Sequence, residues 1–432
     1  MWKKVTILIF LLSFGLVSFS QTKHVTYWGQ VRSILDKHCT LCHFENGFSP
    51  FALTDYFSAQ KRASFILNVV ENRIMPPWAA DTSYRCFINQ NVLSKQEIET
   101  FRKWIQNGCE EGKRQDVKKN IIKTQPYTLD TTWTLPMVRP YTVKDLNKDI
   151  FKRFYVQTKF NRDVYASRFE WKPGNRNIVH HTEVFFDSIG MEIPDLRVAG
   201  NEQIPGQNYE GRIPGLTTYS YLTGWLPGEL FEEFPKGICA KIPKGSSMFY
   251  LMHYAATPIE ETDSTVFYIH ESKSIKNARI CKTIDVHGHR DLVKGSFYLP
   301  ADSVITLHCK KVIKEKISAF SLLVHAHHLA QSMLAYVVTP AKDTIPLLHI
   351  PKWDFNWQFI YKFKKFEIIP SGSVIHYFVT YDNTSQNPEN PHVPPRDTHY
   401  SFEADQEMME LFLYHVPYQE GDEKLPIEYP SD

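Results

Sequence analysis

A dominant charge is the first thing this chain lacks. Its 49 Lys and Arg stand against 47 Asp and Glu, a formal net charge of +2, and no long basic run disturbs that balance. A nucleic-acid partner, which needs a concentrated basic face, is therefore not expected. Beyond residue 20 there is also no apolar stretch long enough to span a bilayer, so no transmembrane segment is expected in the mature chain. Residue 21 is Gln rather than Cys, which removes the residue that a lipid anchor would need there. The bias of a disordered chain is missing as well, since 43% of residues are hydrophobic and 14% aromatic, enough to build packed cores. At 432 residues there is room for two or three such cores.

Residues 1–20 open with Lys3 and Lys4, continue with an apolar stretch from Val5 to Val17, and end on small residues around Phe19. This pattern predicts a cleaved secretory signal and a protein exported to the periplasm or beyond, in the bacterial manner. Export permits disulfides and extracytoplasmic metal chemistry.

Trp28, Val31 and Leu35 keep helical spacing and lead into Cys39-Thr40-Leu41-Cys42-His43. That pentapeptide is the pattern for covalent attachment of a c-type haem, with Cys39 and Cys42 as thioether donors and His43 as proximal ligand. A zinc or redox Cys-x-x-Cys followed by a chance His is the plainer alternative. The second axial ligand is expected downstream, and Met75, stiffened by Pro76 and Pro77, is well placed. His38, next to Cys39, is its rival. Ser94 and Glu97 form a capping box ahead of Ile98, Phe101 and Ile105 on one helical face, and Gly108 supplies a stop. The attachment motif, the Met-Pro-Pro-Trp loop and this last helix together resemble a bacterial class of small c-type cytochrome domains over about residues 25 to 112. In an exported domain, Cys86 and Cys109 are expected to form a disulfide. Glu110 to Lys123, rich in charge and poor in apolar residues, reads as a linker.

From Thr131 onward short apolar or alternating runs are separated by Pro, Gly and Asn, the texture of antiparallel strands stacked in sandwiches. In the run from Leu322 to Leu329, side-chain alternation on a strand points His325 and His327 the same way. Two imidazoles on one face can share a metal. Trp353 to Tyr361 carries an aromatic residue at every odd position and is expected to be a strand, with Asp354, Asn356 and Gln358 facing either solvent or a polar cleft. Further candidate ligands are His180-His181, His253 and the pair Met408-Met409. Imidazoles with a thioether suit a metal cycling between Cu(II) and Cu(I), whereas calcium or magnesium would want oxygen. His180 and His181 can serve one ion only where the backbone bends, at a strand end or a bulge.

The series His180-His181, Met252-His253-Tyr254, His325-Ala326-His327 and Glu407-Met408 resembles the ligand series of the copper type II, ascorbate-dependent monooxygenases, the peptidylglycine alpha-hydroxylating monooxygenase-like family. Asp354-Phe355-Asn356-Trp357-Gln358 and Tyr381-Asp382-Asn383 with Asn387-Pro388 and Asn390-Pro391 add to it, and the resemblance runs from about residue 135 to 420. It implies that His180, His181 and His253 hold an electron-transferring copper and that His325, His327 and Met408 hold the copper at which dioxygen reacts. Met409 remains a rival to Met408. The fold it implies is mainly β: after a signal (1–20), a cytochrome c-like helical domain (21–112) and a linker (113–130), two jelly-roll-like sandwiches (131–282 and 283–432) face each other across a cleft.

The expected function is that of an exported, uncoupled dicopper monooxygenase hydroxylating a C–H bond of a small-molecule or peptide substrate. Dioxygen is the co-substrate, and electrons come from ascorbate, another donor, a redox partner protein or the fused haem. The alternative is a non-catalytic electron-transfer cytochrome fused to a copper- or partner-binding sandwich. His287-Gly288-His289 is a second His-x-His outside the family pattern, with a central Gly that suggests a turn, and His328 is expected to face away from its neighbours. Of Cys239, Cys281 and Cys309 at most two can pair with each other, Cys281 with Cys309 being one option.

Overall fold

In a computed structural model the described residues are 24–45, 49–114 and 131–430, with interruptions at 138, 145, 148, 157, 188–202, 205–218, 227–230, 272–277, 402 and 404. The expected signal segment and most of the expected linker lie outside them.

The chain is mainly β, preceded by a small helical unit. Its helices are Arg32–His38, led in by a wide turn at Tyr27–Val31, then Tyr56–Lys61, Ala63–Glu71 and Lys95–Gln106. The last is fixed at its start by both halves of the Ser94/Glu97 capping box. Past its end Gly108 takes a positive φ of 74° that favours glycine. The helices bury Tyr27, Val31, Leu35, Ile66, Phe101 and Trp104 in a core of their own. Glu110 and Glu111 belong to this unit rather than to a linker, because their carbonyls accept the amides of Tyr27 and Trp28 at 2.9 and 3.0 Å.

Two β units follow. In the first, a sheet with central strands Val266–Glu271 and Val164–Lys172 faces a sheet with central strands Ser247–Tyr254 and Val179–Asp187. Trp171 and Phe267 from one sheet meet Tyr250 of the other, with ring centroids 5.1 and 5.9 Å away. The second unit begins at Lys282. One of its sheets runs Lys282–His287, Glu410–Pro417, Ile317–His325, Tyr361–Ile369, and the other runs Val304–Val312, Val374–Asp382, Ala330–Val338, Thr344–Ile350. Strand Val374–Asp382 alternates buried and half-exposed residues, as expected with one covered face. By contrast, every residue of Ser247–Tyr254 and of Ile317–His325 is buried. Both faces of those strands are covered because the two units press their inner sheets together, with Tyr221 stacked on Phe412 at 4.5 Å.

Two expectations need correcting. Trp353 to Ile360 is not a strand: Asp354 Oδ1 accepts the Asn356 amide at 2.9 Å and the Asp354 carbonyl accepts that of Trp357, so the segment turns on itself. A short polar side chain that can bond its own backbone overrode the period-two aromatic pattern. The expected disulfides are also not formed, since Cys86, Cys109, Cys281 and Cys309 are all unbridged. Cys109 packs against the helical core, whereas Cys86 sits on a segment that has left it. Cys309 places its Sγ 3.7 Å from Met409 Sδ, and Cys281 lies next to Cys239, its amide bonded to that residue's carbonyl at 2.8 Å.

That departing segment, residues 78–90, docks the helical unit onto the second β unit. Trp78 stacks on Phe359 at 5.8 Å, Phe87 bridges to Phe363, and the Asp81 amide donates to the His349 carbonyl at 2.8 Å. Phe87 is fully enclosed there.

Candidate metal centre

The strand Val179–Asp187 pairs with Ser247–Tyr254 in a register that matches His253 to His181 and Tyr254 to Val179, skipping His180. This bulge turns His180 to the side of His181, so that neighbours in sequence share one site. The Nδ1 atoms of His180, His181 and His253 lie 3.1 to 3.2 Å from one another.

Their protons can be assigned from the outer contacts. His253 Nε2 is 3.0 Å from Asp149 Oδ1, and a carboxylate only accepts, so Nε2 carries the hydrogen. His180 Nε2 is 3.1 Å from Asn356 Oδ1, whose amide nitrogen is committed to Asp354, so this nitrogen also donates. Burial lowers the basicity of all three rings, well below the ordinary value for His181 and to about 4 for His180. Burial works against the Asp149 carboxylate too, but its bond to His253 holds it below its usual range. With their protons on the outer nitrogens, His253 and His180 turn bare lone pairs toward the Nδ1 of His181. Such lone pairs repel unless a cation sits among them, and the donor set fits copper.

His325 ends its strand, and His327 follows two residues on, with ring centroids 5.1 Å apart. His325 Nδ1 donates to Gln358 Oε1, since the Gln358 amide nitrogen is held by the Phe355 carbonyl at 2.8 Å. His327 Nδ1 donates to the Gln406 carbonyl at 3.0 Å, leaving its Nε2 buried with no hydrogen-bond partner among the described residues. Burial keeps His327 neutral. An orphaned, buried, neutral imidazole nitrogen is what a metal ligand without its metal looks like. Of the two methionines, Met409 turns its sulfur toward Cys309 in the core and its Cβ against Gly288. The backbone there is held by Glu407, which accepts the amides of His327, Leu329 and Met408 at 2.9, 2.6 and 3.1 Å, and by Tyr381, which donates to the Met408 carbonyl at 2.7 Å.

The two histidine sets adjoin instead of facing each other over an open cleft. The ring of His181 is 6.1 Å from that of His325. Phe151 stacks on His253 at 4.4 Å and reaches His327 at 5.9 Å, and Phe355 lies within 6.0 Å of His180, His181, His253 and His327. His328 also packs against Phe355, at 4.1 Å. A small pocket beside this junction is lined by His181, Glu183, Tyr221, Trp225, His325 and Gln358. Sequence reasoning missed Asp149, Phe151 and the Gln406 carbonyl. Only the register that sets Phe151 opposite His253 reveals the first two.

In the helical unit, Cys39 and Cys42 are half-buried and His43 Nδ1 donates to the Phe51 carbonyl at 3.0 Å, which leaves Nε2 as its free ligand atom. Burial pushes the Cys39 thiol up to about 12. His38 is spoken for on both nitrogens, by Asn91 and by Glu97, which removes it as an iron ligand. Met75 is half-buried in the turn after Ala63–Glu71, its amide 3.2 Å from the Val69 carbonyl.

No family model and no curated protein matches this chain. Among solved structures it is similar to the STIV MCP (10% identity, 66% of this chain and 97% of that chain, TM-score 0.27). It is also similar to PNGF-II (9% identity, 76% of this chain and 72% of that chain, TM-score 0.30). At such scores neither bears on the site.

Proposed function

We propose that this protein is a copper-dependent monooxygenase with a fused c-type cytochrome, in which two jelly-roll-like sandwiches carry the copper ligands. The convergence of three neutral Nδ1 atoms beside the orphaned Nε2 of His327 carries this reading. His180, His181 and His253 would hold one copper, and His325, His327 and Met408 the other. Copper in these places would supply one-electron storage and dioxygen activation, the chemistry that inserts one oxygen atom into a C–H bond and reduces the other to water with two external electrons. Asp149 and Asn356 fix the tautomers of His253 and His180, Gln358 and the Gln406 carbonyl fix those of His325 and His327, and Phe151 and Phe355 exclude water between the sets. The aromatic pocket next to His181 and His325 is where the reacting carbon of a small organic or peptide substrate would be held.

The haem reading rests on the free Nε2 of His43 and the two thiols, and Met75 is the further residue that would hold the iron. The docking of the helical unit supports the haem as electron source for the copper site. Three residues after Met75, Trp78 stacks on Phe359, and the loop of Phe359 places Phe355, Asn356 and Gln358 on the histidines. Phe44, next to His43, lies under Arg176 of the first β unit at 5.9 Å.

The test is oxygen uptake by the haem- and copper-loaded protein given ascorbate, with peptides and phenethylamines as the substrate panel. Uptake coupled to product and lost in His325→Ala supports the reading. Copper bound and reduced without substrate-dependent uptake over a widened panel would leave a non-catalytic electron carrier.

A further inference from the structure

A second cluster lies outside those six ligands. His287 is the last residue of strand Lys282–His287, His289 follows across a turn, and Glu410 opens the neighbouring strand directly opposite His287. One ligand atom from each lies within 4.8 Å of the others. Glu410 is fully buried, next to His287 Nδ1, and Tyr400 donates its hydroxyl to the other carboxylate oxygen.

The surroundings prepare the histidines as ligands. His287 Nε2 is 2.8 Å from Asp285 Oδ2, itself held at 2.6 Å by Arg290, so the outer nitrogen donates and Nδ1 is the ring atom that Glu410 faces. The turn that returns His289 to the same side depends on Gly288. Its amide donates to the Met409 carbonyl at 2.8 Å, and a Cβ there would come within 2.8 Å of both Met409 Cβ and Phe297 Cδ2. His289 rests against Tyr400 at 4.7 Å and is exposed, which gives solvent and ions a way in.

We infer that His287, His289 and Glu410 form a third metal site, for a borderline divalent cation of the zinc kind. Two imidazoles and one carboxylate are the donor set such an ion prefers, with a remaining position open to water on the His289 side. The hard carboxylate and the absence of sulfur set it apart from the neighbouring thioether-containing set. Glu410 is also paired across the sheet with His325, so an ion here would brace the strand that carries His325.

The experiment is a titration of the haem-loaded protein with zinc alone, in the parent, His289→Ala, Glu410→Gln and the double variant His180→Ala/His253→Ala. The site predicts one zinc equivalent that is weakened at least tenfold by His289→Ala and by Glu410→Gln and that survives in the double variant. Because Glu410→Gln could disturb a buried network, His289→Cys supplies an independent reading at an exposed position. Added Co(II) should then show a thiolate-to-cobalt charge-transfer band that the parent lacks. Equal zinc affinity and stoichiometry in the parent, His289→Ala and Glu410→Gln, or no such band in a folded His289→Cys protein, would overturn the assignment. Survival of this equivalent in the double variant, whose His180, His181 and His253 set is disabled, keeps its fate separate from that of the proposed electron-transferring copper.

Discussion

Asp149→Asn removes a charge that touches no metal, yet it should weaken copper. The carboxylate accepts the Nε2 hydrogen of His253 at 3.0 Å and thereby aims a bare Nδ1 at the point shared with His180 and His181. Losing such a partner typically costs 10- to 100-fold in metal affinity, or about 1.4 to 2.7 kcal/mol. Asn can still offer an oxygen, so Asp149→Asn belongs near the lower end and Asp149→Ala near the upper. Asn356→Ala provides a scale, because its bond to His180 Nε2 is neutral and partly exposed. A neutral bond contributes about 0.5 to 1.5 kcal/mol, a loss of about 2- to 13-fold. The assay is competition for Cu(I) against a chromophoric chelator, without oxygen. If both Asp149 variants bind as tightly as the parent, His253 is not a ligand through Nδ1, and the tautomer argument fails.

Cys39→Ala with Cys42→Ala should abolish covalent haem, and Met75→Ala should remove the near-infrared methionine–iron band; persistence of that band would mean another sixth ligand. Phe87→Ala should cost about 3–5 kcal/mol of stability and loosen the docked helical unit, seen as faster cleavage near residue 90 in limited proteolysis. Glu97 is pushed up by burial but pulled to about 2 by Ser94, Lys37 and His38. A carboxyl depressed in the folded state stabilises above its unfolded pKa, so this contribution is present above about pH 4.5 and lost as pH falls through about 2. Glu97→Gln should therefore lower stability near neutrality by about 1–2 kcal/mol, after allowance for partial exposure, and match the parent near pH 2 in thermal melts. In the Cu(I) form, X-ray absorption should lose its copper–sulfur contribution in Met408→Leu and keep it in Met409→Leu.

The parts of the site that were legible in the sequence were those set by short-range rules. Strand alternation brings His325 toward His327, and only a bulge can bring His180 beside His181, which the skipped register supplies. The capping box at Ser94 and the stop at Gly108 were equally local. What could not be read depended on contacts far along the chain. The meeting of Asp81 with His349, 268 positions apart, carries no local signal, so the crossing of residues 78–90 to the second β unit was invisible. Asp149 looks like any loop acid until the partner strand puts it beside His253. The loop around Phe355 was misread because aromatic alternation is a strand signal, while the Asx turn at Asp354 bends that segment over both histidine sets. The thiols were paired by spacing, but their positions are decided by which core each segment joins.

The number of Cu(I) ions held by the chain tests the two proposed copper sites most directly. Equilibrium dialysis without oxygen, on the haem-loaded protein in the His289→Ala background so that the third cluster is silent, should give two equivalents. It should give one in His180→Ala/His253→Ala, with the copper–sulfur signal retained, and one in His325→Ala/Met408→Leu, with that signal gone. The same copper content in all three proteins, or less than one equivalent in the first, would contradict the claim that these six residues form two adjoining copper sites.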